Sequence, residues 1–172
     1  MTEEAINHPK HYNMHESGIE AIDICEHLGF NIGNAVKYLF RAGYKGDAVH
    51  KTIEDMQKAR WYLERQAAQS RFTSLMNGTV PYLNTATEGL IQRVCACTPS
   101  TLTRVLAALF GARDGEMHVM RDGDLKRAID LLTHDLDALI NQTLFEQERE
   151  DLTEALCEAS SEDITDGHAE VP

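Results

Sequence analysis

A short stretch of the sequence, residues 33–46, places hydrogen-bonding and charged side chains at helical spacing. They follow one another at intervals of three, one and three residues: Asn34, Lys37, Tyr38 and Arg41. Because residues three and four apart share a face of an α-helix, the four form one polar stripe about two turns long. A lysine supplies a point charge there, an arginine can hold a phosphate with two hydrogen bonds, and an amide can bind a base or sugar. The stripe therefore predicts an anion site suited to a phosphate group.

A second polar stripe is predicted on the following helix, where Asp55, Lys58 and Tyr62 stand at i, i+3 and i+7. If the two stripes face each other, they form a cleft with cations, one carboxylate and aromatic walls. The competing interpretation is a solvated face with an interhelical salt bridge from Asp55 to Lys37 or Arg41. The physics of the residues alone favours this second interpretation.

Three flanking residues could extend the site. His11 and Tyr12 put a titratable imidazole beside a phenol, and together they could bind a phosphate or stack on a base. Lys45 adds a cation just beyond the turn that follows the first stripe. The chain has no P-loop and no glycine-rich dinucleotide motif, so any nucleotide site must be built in another way, and no metal site is predicted.

The acidity of the chain is concentrated near its C-terminus. The net charge is −12 over 172 residues, and residues 146–172 hold ten acidic residues against Arg149 alone. This distribution argues against duplex DNA as a partner but leaves room for a local anion site nearer the N-terminus. No apolar run approaches the length that spans a membrane, and the N-terminus lacks the apolar segment of a signal peptide. We therefore expect a cytoplasmic protein with no membrane partner.

Helical periodicity and capping residues predict an all-α fold. The predicted organisation is a small three-helix unit over residues 1–70, a linker over 71–83, a second helical block of unknown role over 84–158, and a disordered acidic tail over 159–172. The expected helices of the first unit cover residues 19–28, 32–42 and 47–70, and one in the second block begins at Pro99. Their predicted N-caps are Ser17, Asn31, Asp47 and Thr98.

Three segments, NHPKHYNMHESGIEAIDI, FNIGNAVKYLFRAGYKGD and IEDMQKARWYLER, resemble the SaV-like domain family of phage and prophage proteins in order and spacing. The resemblance covers about residues 7–66. It rests on these positions: Pro9, His11, Tyr12, Ile19, Glu20, Gly33, Asn34, Lys37, Tyr38, Arg41, Gly43, Lys45, Asp55, Lys58, Ala59, Tyr62 and Leu63.

The resemblance implies a phage protein that handles deoxynucleotides in the cytoplasm of an infected bacterium. The family includes a phage nucleotide kinase that phosphorylates dTMP and dGMP without a P-loop. The implied reaction is phosphoryl transfer from a nucleoside triphosphate to a deoxynucleoside monophosphate, with a magnesium requirement left open. The residues expected to be catalytic are His11, Lys37, Arg41 and Asp55. The residues expected to bind the substrate are Tyr12, Asn34, Tyr38, Lys45, Lys58 and Tyr62.

The resemblance also implies a homo-oligomer, because a three-helix unit of about 60 residues encloses little volume and a site would form between subunits. Two alternatives need no reactive group. The protein could bind or sequester a nucleotide or a nucleotide-derived signal without chemistry, or it could be an adaptor that binds a host protein. The acidic C-terminal segment is interpreted as solubilising, with a basic host protein as its alternative partner.

Overall fold

A computed structural model describes residues 12–44, 49–75, 85–110, 112–113, 116–117 and 122–162. These residues form six helices: α1 (Ala21–Cys25), α2 (Phe30–Arg41), α3 (Val49–Leu75), α4 (Thr85–Cys95), α5 (Thr101–Phe110) and α6 (Asp122–Glu162). Two short strands, β1 (Ala112–Arg113) and β2 (Glu116–Met117), pair antiparallel between α5 and α6. The predicted all-α fold class is confirmed, and the ribbon is a small addition to it.

Helices α2 and α3 pack against each other as an antiparallel pair, and their apolar faces form the centre of the first unit. Val36, Leu39 and Phe40 of α2 are buried, as are Ala59 and Leu63 of α3. Burying such side chains contributes roughly 1.5–3 kcal/mol each for the larger ones, so this face fixes how the two helices meet. The polar stripes predicted from the sequence adjoin it.

Asn31 was expected to cap α2 but lies inside the helix, one residue after its start. The N-cap is Gly29, and the buried amide of Asn31 instead donates hydrogen bonds to Gln66 Oε1 (3.2 Å) and Gln69 Oε1 (2.7 Å) on α3. Since a buried amide without partners would be costly, these bonds tie the start of α2 to the second half of α3. Gly43, with φ +86°, follows the end of α2 in the left-handed conformation that favours glycine.

Helix α1 is shorter than the periodicity predicted. It begins after Glu20, whose own backbone N–H donates to Asp23 Oδ2 at 3.0 Å, and turns replace the expected helix from residue 26 onward. Ser17 does not cap it, because its hydroxyl accepts the Ile19 N–H at 3.2 Å before the helix starts. The helix stays short because the chain turns at once into α2.

Gly33 permits the close approach of α1 and α2. A Cβ at this position would lie 3.0 Å from the Cys25 carbonyl oxygen, tighter than ordinary contact. The Cys25 thiol donates to the Gly33 carbonyl at 3.1 Å, and burial raises the pKa of that thiol to about 12. The thiol is therefore protonated at neutral pH and has a packing role.

Helix α5 begins two residues later than predicted and is capped by Ser100. The Ser100 hydroxyl accepts the Thr103 N–H (3.2 Å), and the Thr103 hydroxyl accepts the Ser100 N–H (2.8 Å). Thr98, the predicted cap, instead gives both its N–H and its hydroxyl to the carboxylate of Glu16. Glu16 thereby joins the N-terminal segment to the start of α5.

Replacing Ser100 with alanine removes one half of this reciprocal cap. We expect the free energy of unfolding to fall by about 1 kcal/mol, as is usual for a lost N-cap. Urea unfolding followed by circular dichroism measures the change. Ser100→Asp keeps an acceptor at the same place and should remain within about 0.5 kcal/mol of the native protein. Equal losses in both variants would show that the hydroxyl does not cap the helix.

Helix α6 closes the core of the first unit through one face near its start. Leu125, Ala128, Leu132 and Leu136 are buried at helical spacing. Asp135, on the same helix, accepts hydrogen bonds from the Thr101 hydroxyl (2.7 Å) and from the Arg104 guanidinium of α5. The described residues up to Leu136 form one compact unit, and those from Asp137 onward form a second, so the division falls inside α6.

The predicted division at 71–83 falls partly on α3, which continues to Leu75, and partly on residues outside the described ones. Helix α6 reaches Glu162 and so includes the first four residues of the predicted tail. Residues 163–172 lie outside the described residues, so their disorder stays a prediction.

Candidate functional site

The structure brings together seven of the ten residues predicted for the site, on the facing sides of α2 and α3. They are Asn34, Lys37, Tyr38 and Arg41 from α2 and Asp55, Lys58 and Tyr62 from α3. Tyr12 joins them through a hydrogen bond to Arg41. His11 and Lys45 lie outside the described residues. The two polar stripes therefore lie against each other.

Arg41 and Asp55 form a buried ion pair at one end of this group. The guanidinium donates from Nε to Asp55 Oδ2 at 2.7 Å and from Nη2 to Oδ1. The pKa of Arg41 is raised, chiefly by the hydrogen bond to Asp55 and against the effect of its burial. The salt bridge considered from the sequence is thus present, with Arg41 rather than Lys37 as the partner. The catalytic roles expected for both residues stay a prediction.

Tyr38 lies at the centre of the group, with three cations near its ring. Lys37 Nζ is 4.8 Å from the ring centroid, Arg41 Cζ 4.9 Å and Lys58 Nζ 5.7 Å. Cations within about 6 Å of an aromatic centroid are attracted by the ring quadrupole, by about 0.5–1 kcal/mol at exposed sites. Tyr38 therefore offsets part of the repulsion that would otherwise separate these like charges.

The two lysines each have a polar partner on their own helix and are partly exposed. Lys37 donates to Asn34 Oδ1 at 2.7 Å, and Asn34 in turn donates to the Phe30 carbonyl at 2.8 Å. Lys58 pairs with Glu54 one turn earlier on α3, and this hydrogen bond raises the pKa of the lysine. An ammonium group has three donors, so each lysine can add an anionic ligand to the partner it already has.

Aromatic side chains continue from Tyr38 along the outer side of α3. Tyr38 and Tyr62 are stacked, with ring centroids 5.9 Å apart and planes 19° from parallel. Tyr62 also meets the rings of Phe30 (6.0 Å) and Trp61 (4.9 Å) edge to face. Phe30 is 75% exposed and Trp61 51% exposed, which is unusual for side chains of their size.

We refer to this region as the cation–aromatic surface, defined by Phe30, Lys37, Tyr38, Lys58, Trp61, Tyr62 and Arg65. The Arg65 guanidinium lies 5.4 Å from the Trp61 ring. Sequence reasoning did not assign Phe30, Trp61 or Arg65 to the site. Phe30 and Trp61 are large apolar residues, and such residues on a helix are expected in the core. The spacing of Trp61 and Arg65 at i, i+4 was the available signal.

The charge of the cation–aromatic surface is opposite to that of the chain as a whole. Counting the Arg41–Asp55 pair and Glu54, cations outnumber carboxylates by four to two: Lys37, Arg41, Lys58 and Arg65 against Glu54 and Asp55. In a protein with net charge −12, this is a local anion-attracting region.

A separate cavity of about 600 Å³ lies near the start of α5. Its lining includes Met14, His15, Glu16, Leu39 and Met56, and none of the described residues predicted for the site. His15 is buried beside the ring of Phe40, with the ring centroids 5.4 Å apart. Its Nδ1 accepts the Ser17 N–H at 3.2 Å, which places the proton of the neutral ring on Nε2.

Burial lowers the pKa of His15, and the neighbouring Glu16 carboxylate partly opposes this shift. Near and below the ordinary histidine pKa of about 6.5, the unfolded chain therefore binds a proton more readily than the folded protein does. The free energy of unfolding consequently keeps its full value above this pH and declines as the pH falls below it. We expect His15→Asn, which keeps an acceptor for Ser17, to weaken this decline as the pH falls below about 6.5. Urea unfolding at several pH values tests it, and parallel curves for both proteins would contradict it.

Two further properties hold for the residues that the structure describes. Among them, no group of three or more His, Cys, Asp or Glu side chains is arranged to hold a metal ion. No helix in the described ranges has the length and apolar character needed to cross a bilayer.

Comparison with known protein families gives a match over the N-terminal part of the chain. The sequence model of DUF3310, a protein family of unknown function, matches residues 6–64. This stretch contains α1, α2 and the first part of α3, which carries Asp55, Lys58 and Tyr62. It is nearly the same stretch as the one that resembles the SaV-like domain family. No curated protein and no solved structure matches the chain. The match therefore covers nearly all of the site and attributes no activity to it.

Proposed function

We propose that the protein binds a nucleotide on the cation–aromatic surface. The observation that carries this proposal is the stacked pair Tyr38 and Tyr62, with the ammonium groups of Lys37 and Lys58 at 4.8 and 5.7 Å from the Tyr38 centroid. A nucleotide combines an aromatic base with an anionic phosphate. A surface that offers exposed rings and neighbouring cations fits both parts.

The phosphate is proposed to bind Lys37 and Lys58 rather than Arg41. The Arg41 guanidinium already uses Nε and Nη2 on Asp55 and is largely buried with it. Withdrawing it toward a ligand would leave Asp55 as a buried, unpaired carboxylate, at a cost of several kcal/mol. The lysines are more exposed, and each ammonium group has three donors, so they can donate hydrogen bonds to the phosphate without loss of a buried ion pair.

The base is proposed to stack on the exposed aromatic side chains next to Tyr62. Phe30 and Trp61 present the largest exposed ring areas of the surface. Stacking of a base on a protein aromatic ring contributes about 1–3 kcal/mol and depends little on which base is bound. The geometry therefore supports nucleotide binding in general, and the preference for dTMP or dGMP comes from the resemblance alone.

Phosphoryl transfer to a bound deoxynucleoside monophosphate is the finer form of this proposal. Such a reaction needs groups that contact the transferred phosphate. Lys37 is the accessible candidate, whereas Arg41 and Asp55 bind each other, so the described geometry favours binding over transfer. His11 and Lys45 are the two predicted residues that would complete the reactive set. Homo-oligomerisation also stays a prediction.

Calorimetric titration of the full chain with dTMP, dGMP and thymidine tests the proposal. We expect saturable binding of both nucleotides and much weaker binding of thymidine, which lacks the phosphate. If no nucleotide binds saturably, the proposal is wrong. Chromatography of mixtures containing ATP and dTMP, with and without magnesium, then separates a kinase from a binder by the presence or absence of dTDP.

A further inference from the structure

A buried histidine carries an unused hydrogen-bond donor at the cavity near the start of α5. His15 lines this cavity and is only 8% exposed. Its Nδ1 accepts the Ser17 N–H at 3.2 Å and lies 2.9 Å from the Ser17 hydroxyl, so the ring proton is on Nε2. Among the described residues, none accepts from Nε2, and no fully buried side-chain nitrogen or oxygen lacks a partner. Nε2 is therefore an accessible donor of an otherwise buried residue, and the cavity is the space that His15 borders.

The start of α5 adds two backbone donors at the same cavity. Thr101 and Leu102 are the first two residues of the helix, and both line the cavity. The first N–H groups of a helix have no acceptor within it and point out of its N-terminal end. The third, from Thr103, is bound by the Ser100 hydroxyl, but no described residue accepts from the first two. Together with Nε2 of His15, three donors at the cavity thus lack acceptors in the described part of the chain.

Much of the remaining wall is apolar. Leu39 and Met56 are 4% exposed, and Met14 and Pro99 line the cavity beside them. Small-molecule sites typically have volumes of roughly 300–1,000 Å³, with apolar walls and a few polar groups that fix the orientation of the ligand. This cavity, at about 600 Å³, has the same character. Its lining fits a molecule with an apolar body and a hydrogen-bond acceptor.

The charge at the cavity favours an uncharged acceptor over an anion. Among the described lining residues, Glu16 alone is charged at neutral pH, since burial lowers the pKa of His15. Its carboxylate accepts the N–H and hydroxyl of Thr98 and has no cationic partner among the described residues. A second carboxylate, Asp135, accepts the Thr101 hydroxyl at 2.7 Å and offsets the positive end of α5. A ligand carboxylate or phosphate would be repelled, whereas a carbonyl oxygen accepts the same hydrogen bonds without repulsion.

We propose that this cavity binds an uncharged small molecule that has an apolar body and a carbonyl oxygen. The carbonyl oxygen accepts from Nε2 of His15 and from the first N–H groups of α5, and the apolar body lies against Leu39 and Met56. The cavity shares no residue with the cation–aromatic surface, and its ligand differs in charge from a nucleotide. This binding therefore does not depend on the proposed nucleotide site.

The test uses the full chain, labelled with ¹³C at its methionine methyl groups and titrated with acetophenone or benzoate in NMR experiments. Both probes carry a phenyl ring and a carbonyl-type oxygen, but only acetophenone is uncharged. We expect acetophenone to cause saturable shifts of the Met14 and Met56 signals, because both residues line the cavity. Met117, which belongs to β2 and not to the lining, is the internal control. Benzoate should bind about tenfold or more weakly.

Variants of the chain locate the donor. His15→Asn keeps an acceptor for Ser17 but removes the donor at Nε2, and should weaken acetophenone binding about fivefold or more. His15→Gln places an amide N–H near the position of Nε2 and should restore much of the affinity. Ethylbenzene has no acceptor, so its binding should be equal in both variants. Thr52→Leu fills the cavity from α3 and should abolish binding of both probes, and circular dichroism verifies that each variant is helical.

Three results would overturn the proposal. The first is absence of a saturable shift of the Met56 signal with acetophenone. The second is binding of benzoate as tight as that of acetophenone; these two results use the native chain and do not depend on how well a variant folds. The third is an equal loss of acetophenone and ethylbenzene binding in His15→Asn, which would show that His15 only shapes the wall.

Discussion

Replacing Asp55 with alanine is expected to lower the free energy of unfolding by about 3 kcal/mol or more. The carboxylate is buried and receives two hydrogen bonds from the Arg41 guanidinium. Its removal leaves the largely buried Arg41 guanidinium without this carboxylate, which costs more than the pair itself contributes. Urea unfolding followed by circular dichroism measures the loss, and thermal unfolding should show the same order of variants.

Glu54→Ala is the matched control for this change. Glu54 is the residue before Asp55 and also forms a salt bridge, with Lys58, but both side chains of that pair are substantially exposed. An exposed pair of this kind contributes about 0.3–0.5 kcal/mol, so the control should scarcely alter stability. If Asp55→Ala and Glu54→Ala have equal, small effects, the Arg41–Asp55 pair is not a structural element.

Replacing Lys37 and Lys58 together with alanine is expected to weaken dTMP binding by about 1.5–3 kcal/mol per lost charged hydrogen bond, or tenfold to a hundredfold for each. Both ammonium groups are accessible and lie near the Tyr38 ring. The free energy of unfolding should change little, because neither lysine is buried. Calorimetric titration measures the affinity, and urea unfolding measures the stability.

Lys126→Ala serves as the control for that double variant. Lys126 is an exposed helical lysine paired with Asp130 one turn away, 3.3 Å between Nζ and Oδ2, just as Lys58 is paired with Glu54. Its loss removes the same overall charge as one of the two changes but none of the proposed phosphate contacts. If Lys126→Ala weakens binding as much as Lys58→Ala, the effect is long-range electrostatics rather than a site.

For Arg41, the sequence predicts the helix face but not the ion-pair partner. Helical spacing correctly placed Arg41 on one face with Lys37 and Tyr38, because that spacing follows from the geometry of a single helix. Which cation Asp55 would choose depends on the distance between two helices, and spacing along the chain does not contain that distance. The sequence therefore predicted a salt bridge between the stripes but left its partner open.

Asn31 was wrongly predicted as an N-cap, and Trp61 was not assigned to the site, for related reasons. Asn31 has the residue type of an N-cap, yet tertiary hydrogen bonds to α3 override that preference and place it inside α2. Trp61 has the type of a core residue, yet it is half exposed beside Tyr62. Residue type gives an average environment, and functional surfaces are where individual residues depart from it.

The family match and the proposed nucleotide site cover nearly the same residues. Residues 6–64 contain nearly the whole cation–aromatic surface, with Arg65 just beyond the match.

Fluorescence of Trp61 during a dTMP titration tests the proposed nucleotide site most directly. Trp61 is the only tryptophan of the chain, and its ring lies 4.9 Å from that of Tyr62. A nucleotide on the cation–aromatic surface predicts a saturable change in emission that is lost in Lys37→Ala/Lys58→Ala and kept in Lys126→Ala. An emission that does not change as dTMP saturates the protein, or a change that persists in the double lysine variant, would contradict binding at this surface.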